Sequence, residues 1–371
     1  SMNTQSYVKT IYKDMLSVAA MNGQTVYENE LTKLSNLKAV RNLSKSHVSL
    51  QAIFRTYWPQ FLEKYHDRLR PAIVKNVEAM IACKDLSKGY LFYECPNCSN
   101  YHMTGLSCHS RFCPSCGHKY RDERSLEIQK KLINVPHRHF VFSVPFDLRP
   151  FFWKCRPLFH TLFHSVNEAL TLTIRRSHKD HRNDVRLGFI SFLHTTGRSL
   201  NLHPHLHVLI AEQTIDCFGH QKALFFFPFE RLRKTFMFTF LSHMSACLKK
   251  HASKQLYNHF HQSRNRLLKQ YKDGFYVNGP KIKEKTSFRS AKHVANYISR
   301  YASHPPIAES NILSLNQNTH QVTWTYTPHE DPKHPKVITE SVFTFMIRLV
   351  RHIHDHRFHI LRYYGFYANR S

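Results

Sequence analysis

Residues 187–212, LGFISFLHTTGRSLNLHPHLHVLIAE, decide the fold. Read with period two, Leu206, Val208 and Ile210 fall on one face, and His203, His205 and His207 on the other. Such alternation is a strand with its apolar side on a core and its polar side open. Three imidazoles make an unusual polar face, where Thr, Ser or Lys would serve. His205 and His207 stand side by side, as two ligands of one metal ion would. The run from Leu187 to His194 also reads as a strand, and TTGRSLN between them supplies the Gly and Ser of a hairpin connection. A hairpin brings His194 towards His205 and His207 as a third ligand.

The composition narrows the function. The 371 residues suffice for two or three domains and a sizeable core. Lys and Arg number 53 against 25 Asp and Glu, a formal net charge of +28. An excess of that size calls for a polyanionic partner, and nucleic acid is the usual one. No window of about 18 uncharged apolar residues occurs, so no membrane span is expected. The N-terminus shows no signal-peptide core, and a cytoplasmic location is the expectation. No Gly-rich phosphate loop or Walker pattern occurs, which argues against a nucleotide cofactor. Of nine cysteines, five lie between Cys95 and Cys116, as metal ligands in a reducing compartment would.

Residues 1–48 read as an extension without visible chemistry. From Ser49 to about Lys84 the pattern is helical, with Ile53, Tyr57, Phe61 and Tyr65 at steps of four. CPNCSNYHMTGLSCHSRFCPSCGHKYR then carries two CxxC knuckles, Cys95 with Cys98 and Cys113 with Cys116. Two knuckles predict a closed tetrahedral zinc site, structural because it keeps no open position. Cys108, His102 and His109 are further candidate ligands. Arg111, His118, Lys119, Arg121 and Arg124 surround the block and suit contact with phosphates.

His137 to Pro145 reads as a buried strand, Phe151 to Arg176 as helix, Ala223 to Phe227 as a short strand and Phe229 to about Lys269 as helix. SFRSAKHVANYISRYASHPP, residues 287–306, reads as a helix stopped by Pro305 and Pro306. Ala291, Val294, Ala295, Ile298 and Ala302 form its apolar stripe. Tyr297 and Tyr301, four apart, share a different face with His293, Arg300 and His304, poised to meet an anion. Gln321 to Thr327 and Val337 to Phe343 read as strands. A last helix from about Phe343 presents Phe345, Met346, Leu349, Val350 and Ile353. His352, His354, His356 and His359 scatter around it and read as solvated or phosphate-touching.

The histidine strand and the tyrosine helix combine into one chemistry. A phosphodiester can be broken by a protein nucleophile if a cation neutralises the charge developing on phosphorus. A tyrosine hydroxyl, with a pKa near 10, needs such help to act. Imidazole ligands leave open positions on the ion but do not fix its identity: Mg²⁺ or Mn²⁺ is usual in phosphoryl chemistry, and Zn²⁺ or Ni²⁺ could bind.

The residues also carry a family resemblance. HPHLHVLI matches the HUH (His-hydrophobe-His) metal motif, with His205, Leu206 and His207 in its three places, and NYISRY supplies the paired tyrosines. SCHSRFCPSCG, FVFSVP and LHTTGRSLNLHPHLHVLI together resemble the rolling-circle insertion-sequence transposases with two tyrosines, related in mechanism to Helitrons, conjugative relaxases and replication initiators. The resemblance spans about Ile53 to Phe366, with the blocks in the family's order. The step of eleven from His194 to His205 resembles the three-histidine site of relaxases, with His203 as the alternative third ligand. The resemblance implies that one tyrosine, Tyr297 by preference, attacks a single strand to form a 5′-phosphotyrosine and frees a 3′-OH. The other cleaves a second end or the target. It also implies binding of single-stranded and hairpin ends of a mobile element, with Arg111, Lys119, Arg121 and Arg300 as candidate DNA contacts.

The expected architecture is α/β (α+β). A helical zinc-binding module, 49–134, precedes an HUH nuclease domain, 135–310, with a central mostly antiparallel sheet flanked by helices. Strands and a basic helix follow at 311–371. The expected function is metal-dependent nicking and joining of single strands in transposition. A relaxase or rolling-circle replication initiator is the rival among enzymes, and a non-catalytic zinc-ribbon DNA-binding regulator the rival from another class.

Overall fold

The computed structural model describes residues 8–11, 48–98, 100–177, 185–216, 218–224, 227–279, 306–328 and 330–368, and not the side chains of 8–11, 118, 120, 121, 124 and 175–177. The expected tyrosine helix, with Tyr297, Arg300 and Tyr301, lies outside the described residues. The chain divides into two compact units. Unit 1 holds residues 1–118 and 307–355, and unit 2 holds 119–306 and 356–371. The stretch 311–371, expected as one C-terminal segment, is therefore shared between them.

In unit 1, helices α1 (Leu50–Tyr65) and α2 (Pro71–Ile81) precede a hairpin of β2 (Tyr90–Glu94) and β3 (Tyr101–Gly105), which β1 (Val8–Ile11) extends to three strands. Helix α1 begins at Ser49, whose hydroxyl accepts from Ala52 N at 3.0 Å. A cap of this kind contributes about 1 kcal/mol. Helix α3 (Pro114–Lys131) starts in unit 1 and continues past the division. From the C-terminal part come β9 (Ile312–Asn316), β10 (Gln321–Tyr326) and β11 (Lys336–Ser341), an antiparallel sheet with β10 central, then α8 (Val342–Val350). These pack on α1, with Phe343 edge-on to Phe61 at 5.6 Å between ring centres. Trp324, fully buried, donates from Nε1 to Glu340 at 2.9 Å, and Arg348 holds the other oxygen of that carboxylate. Helix α8 stops at Val350, so Ile353 lies beyond it and His352 is buried rather than solvated.

Unit 2 is built on a six-stranded antiparallel sheet. It comprises β4 (His137–Ser143), β5 (Arg186–Thr196), β6 (Leu202–Ile215), β7 (Gln221–Ala223), β8 (Val277–Asn278) and β12 (Leu361–Tyr364), in the order β12-β5-β6-β4-β8 with β7 on the far end of β6. Short helix α4 (Arg149–Lys154) and helices α5 (Leu158–Ser177), α6 (Phe229–His251) and α7 (Lys254–Gln270) accompany it. Their phenylalanines, among them Phe152, Phe159, Phe163, Phe236 and Phe240, join Phe140, Phe142, Phe189 and Phe192 of the strands in one core. The helix expected over 229–269 is two, because Ala252 is extended and Ser253 caps a new start, its hydroxyl accepting from Leu256 N. The strand expected at 223–227 lies at Gln221–Ala223. Gly188 leaves room for the ring of Phe366, which a Cβ there would meet at 2.1 Å, so the tail seats β12 against β5.

Strand β6 is the interior strand of this sheet, and here an expectation fails. The polar face of the histidine strand is not open: His205 is 9 % exposed and His207 6 %. Residues 204–211, which alternate between the two faces of β6, are all buried, so both faces are covered there. No helix among the described residues is long and apolar enough to cross a membrane.

Candidate metal centres

The β5–β6 turn sets the first centre. Gly197 N donates to Asn201 O and Leu200 N to Gly197 O, both at 2.9 Å. A Cβ on Gly197 would meet Asn201 Oδ1 at 1.7 Å, so any larger residue there would have to displace the Asn201 side chain. The register that follows puts His194 opposite His205. On the other side of β6, Ser143 is opposite His205 and Val141 opposite His207, which places His139 diagonally beside His207. Opposed residues of antiparallel strands share a face. His139, His207, His205 and His194 therefore form a row of imidazoles across three strands, with neighbouring ring centres 4.9–5.1 Å apart.

The ligand nitrogens of His194, His205 and His207 all lie within 4.8 Å of one another. His205 Nδ1 donates to the His203 carbonyl at 2.7 Å, which assigns its proton and leaves Nε2 as a lone pair. That Nε2 lies 3.2 Å from His194 Nδ1. Two nitrogens bound to one ion at about 2.1 Å would sit about 3.0–3.4 Å apart, so the pair has the spacing of metal ligands. His207 Nδ1 shares a hydrogen bond of 2.9 Å with His139 Nε2, so Nε2 is the nitrogen of His207 available to an ion. Burial pulls the pKa of His139 and of His205 down to about 4 and that of His207 well below the ordinary value. All three are neutral at pH 7, the form that binds metal. His203, the alternative third ligand, is outside this group. Its Nε2 is buried without a hydrogen-bond partner among the described residues.

Arg149 stands beside the row. Its Nε donates to the Val144 carbonyl at 3.1 Å, and Val144 N in turn donates to Pro204 O between His203 and His205. Its charge helps hold down the pKa of both histidines, after burial. The guanidinium also lies over the ring of Phe146, itself 72 % exposed.

The second centre is cysteine. The sulfurs of Cys83, Cys108, Cys113 and Cys116 lie within 4.8 Å of one another. Cys116 Sγ is 3.5 Å from both Cys83 and Cys108. Cys83 follows α2, where Gln51 Nε2 binds the carbonyls of Met80, Ile81 and Cys83 at 2.9–3.0 Å and pins the loop. Cys113 and Cys116 sit at the start of α3, where backbone N–H groups and the helix dipole favour thiolates. A hydrogen bond from Cys108 draws Cys113 down to about 5, while burial pushes Cys83 up to about 11.

The two CxxC knuckles do not meet in this group. Cys95 and Cys98 lie in the turn between β2 and β3, where Cys95 N donates to Asn100 O at 2.8 Å and Cys98 is exposed. That hairpin was not anticipated, and it carries the first knuckle away from the helix terminus bearing the second. Cys83 was missed because it has no cysteine neighbour in sequence. His139 was missed because only the register, not the strand itself, brings it to His207. His139 does share the strand period with Val141 and Ser143, which is the signal that could have flagged it. Of the expected DNA contacts, Arg111 is half-buried and Lys119 is exposed, 3.8 Å from Glu123. The Arg121 side chain and Arg300 lie outside the description.

Residues 53–144, which hold the cysteine group, match the family described as "Transposase zinc-binding domain". Residues 188–371, which hold the histidine hairpin, match the family described as "Putative transposase". The transposase for insertion sequence element IS801 from Pseudomonas savastanoi pv. phaseolicola is 30% identical over 319 residues, covering 84% of this chain and 74% of that protein. "Putative transposase y4qJ" from Sinorhizobium fredii (strain NBRC 101917 / NGR234) is 26% identical over 338 residues, covering 88% of this chain and 82% of that one. No solved structure matches the chain. The two family matches and the IS801 relative, aligned over most of both chains, show that the chain belongs to the insertion-sequence transposases, DNA-processing enzymes, and carries a transposase zinc-binding domain.

Proposed function

We propose that the protein nicks and joins single-stranded DNA at the ends of a mobile element, through tyrosine–DNA links formed beside the histidine row. The observation that carries this is the convergence of His194, His205 and His207, with the His205 ring oriented by the His203 carbonyl and the His207 ring by His139. Imidazole nitrogens alone do not fix the ion, but they leave open positions through which Mg²⁺ or Mn²⁺, the usual ions of phosphoryl chemistry, would engage a phosphate oxygen, positions that a full thiolate set lacks. A divalent ion held there would neutralise charge on the scissile phosphate.

The chain's own groups do the rest. The phenol oxygen of Tyr297 or Tyr301 attacks phosphorus, the bond to the 3′ oxygen breaks, and the phenolic proton ends on the freed 3′-OH. The new 5′-phosphotyrosine keeps the ester bond, so the reverse step can join strands without a nucleotide. Arg149, beside the row, offers a cation to a non-bridging phosphate oxygen. Phe146 offers the neighbouring base a stacking face. Cys83, Cys108, Cys113 and Cys116 of unit 1 hold a structural zinc, while Arg111, Lys119 and Arg121 meet the phosphates of hairpin ends. Arg300 serves the cleaved strand.

The test is to incubate the full chain with single-stranded end DNA and Mg²⁺ or Mn²⁺, then look for protein–DNA adducts that survive denaturation. Tyr297→Phe with Tyr301→Phe should abolish adducts while DNA binding persists. His205→Ala should remove metal-dependent cleavage while the fold remains. Adducts persisting in the double tyrosine variant would overturn the assignment of the nucleophiles. DNA binding by the unsubstituted chain without any adduct would favour a regulator.

A further inference from the structure

A third group of donors lies on the helices of unit 2, apart from both centres described above. His164 and Glu168, four residues apart, share one face of α5, and His243 faces them from α6. One donor atom from each lies within 4.8 Å of the other two. His243 Nε2 contacts Glu168 Oε2 directly. The rings of His164 and His243 are 4.4 Å apart at 65°. An ion pair accounts for Glu168 with His243. It does not account for His164, exposed on the helix yet turned to the same point.

The scaffold is rigid. Thr239 Oγ1 donates to Ser165 O at 3.2 Å, tying α6 to α5 one residue from His164 and one turn from His243. Phe163, Val166, Ala169 and Phe240 are fully buried around that tie. A site on two packed helices holds its donors more closely than one on loops.

We propose that His164, Glu168 and His243 form a binding site for a divalent transition-metal ion, which joins α5 to α6. Two imidazoles and one carboxylate select Zn²⁺, Co²⁺, Ni²⁺ or Cu²⁺ over Mg²⁺ and Ca²⁺, which take oxygen donors. Three protein ligands leave an open position, and the exposed side of the site offers it to water or to a donor from another molecule. The site is independent of the nuclease reading, since none of its residues belongs to the histidine row.

Co²⁺ is the probe, because its visible absorption reports nitrogen and oxygen ligands separately from thiolates. The full chain, with zinc already in place, is titrated with Co²⁺ and compared with His164→Ala, Glu168→Gln and His205→Ala variants. His164→Ala should weaken one equivalent of nitrogen-and-oxygen Co²⁺ binding at least about tenfold, and leave the metal-free melting temperature unchanged. Glu168→Gln should weaken the same equivalent. His205→Ala should leave it and remove another. An ion pair alone predicts that His164→Ala binds as much Co²⁺ as the parent, and that result would overturn the proposal. So would a parent chain whose nitrogen-ligated Co²⁺ is wholly lost in His205→Ala.

Discussion

The cysteine group and the histidine row are both converging sets of largely buried donors, built in opposite ways. The four sulfurs come from the loop after α2, the segment after β3 and the first turn of α3. The Gln51 side chain and a few loop hydrogen bonds, rather than a sheet, hold them in place. The three imidazoles stand on β5 and β6, whose backbones pair with each other, with β4 and with β12 over one apolar core. The first centre is assembled from three separate segments, whereas the second is set by the register of one strand pair.

The largest expected effect breaks that contrast directly. A structural zinc contributes on the order of 10 kcal/mol to the fold that holds it. Cys83→Ser should therefore lose zinc and unfold unit 1, read by metal content and circular dichroism, whereas Cys95→Ser should keep the zinc. The opposite pattern would show that the paired knuckles hold the ion. His205→Ala should leave unit 2 folded, because the sheet rather than the ion defines that site.

A smaller effect separates the units by pH. His137 is fully buried, its Nε2 2.7 Å from Tyr367 Oη, and burial lowers its pKa from 6.5 to about 4. The unfolded chain takes up a proton below about 6.5 that the folded chain refuses until about 4. Stability from this group is therefore full above pH 6.5 and is lost as the pH falls towards 4, by up to about 3 kcal/mol. His139, His203 and His205 act in the same sense. The melting temperature of unit 2 should fall steadily across that window. His137→Gln should reduce the slope by about one proton, and an unchanged slope would remove His137 from the account.

Much of this was legible in the residues. Strict alternation and a Gly-Ser turn gave β5 and β6, and with them the meeting of His194, His205 and His207. Two kinds of information were absent. One is register: HRHFVFS reads as a strand, but nothing local says that its second histidine lands diagonally from His207 rather than on the opposite face. The other is long-range closure. CxxC spacing shows that two cysteines are near each other, not which second pair or single cysteine completes the set. Cys83, twelve residues before Cys95, is brought in by the Gln51 clamp on the end of α2. Strand β12 was missed for a related reason. Residues 361–364 are too short to show a period, and they become a strand only where β5 offers an edge.

The smallest effect tests whether the histidine row is one device or a ligand set with a bystander. His139 is not among the three candidate ligands, yet it bonds the nitrogen of His207 that faces away from an ion bound at Nε2. A neutral His207 offers Nε2 to an ion only with its proton on Nδ1, so His207 Nδ1 donates and His139, also buried and neutral, accepts at Nε2. Such outer contacts fix the ring and its tautomer, and losing one typically costs 10–100-fold in metal affinity, about 1.4–2.7 kcal/mol. His139→Phe keeps the ring stacked on His207 and removes the acceptor. It should weaken Mn²⁺ binding within that range and lower cleavage at limiting metal, with full activity restored at saturating Mn²⁺. His139→Gln, whose amide oxygen can still accept, should recover part of the affinity. A His139→Phe protein that binds Mn²⁺ as the parent does would reduce His139 to packing. A loss that no metal concentration restores would place it instead among the groups that touch the DNA.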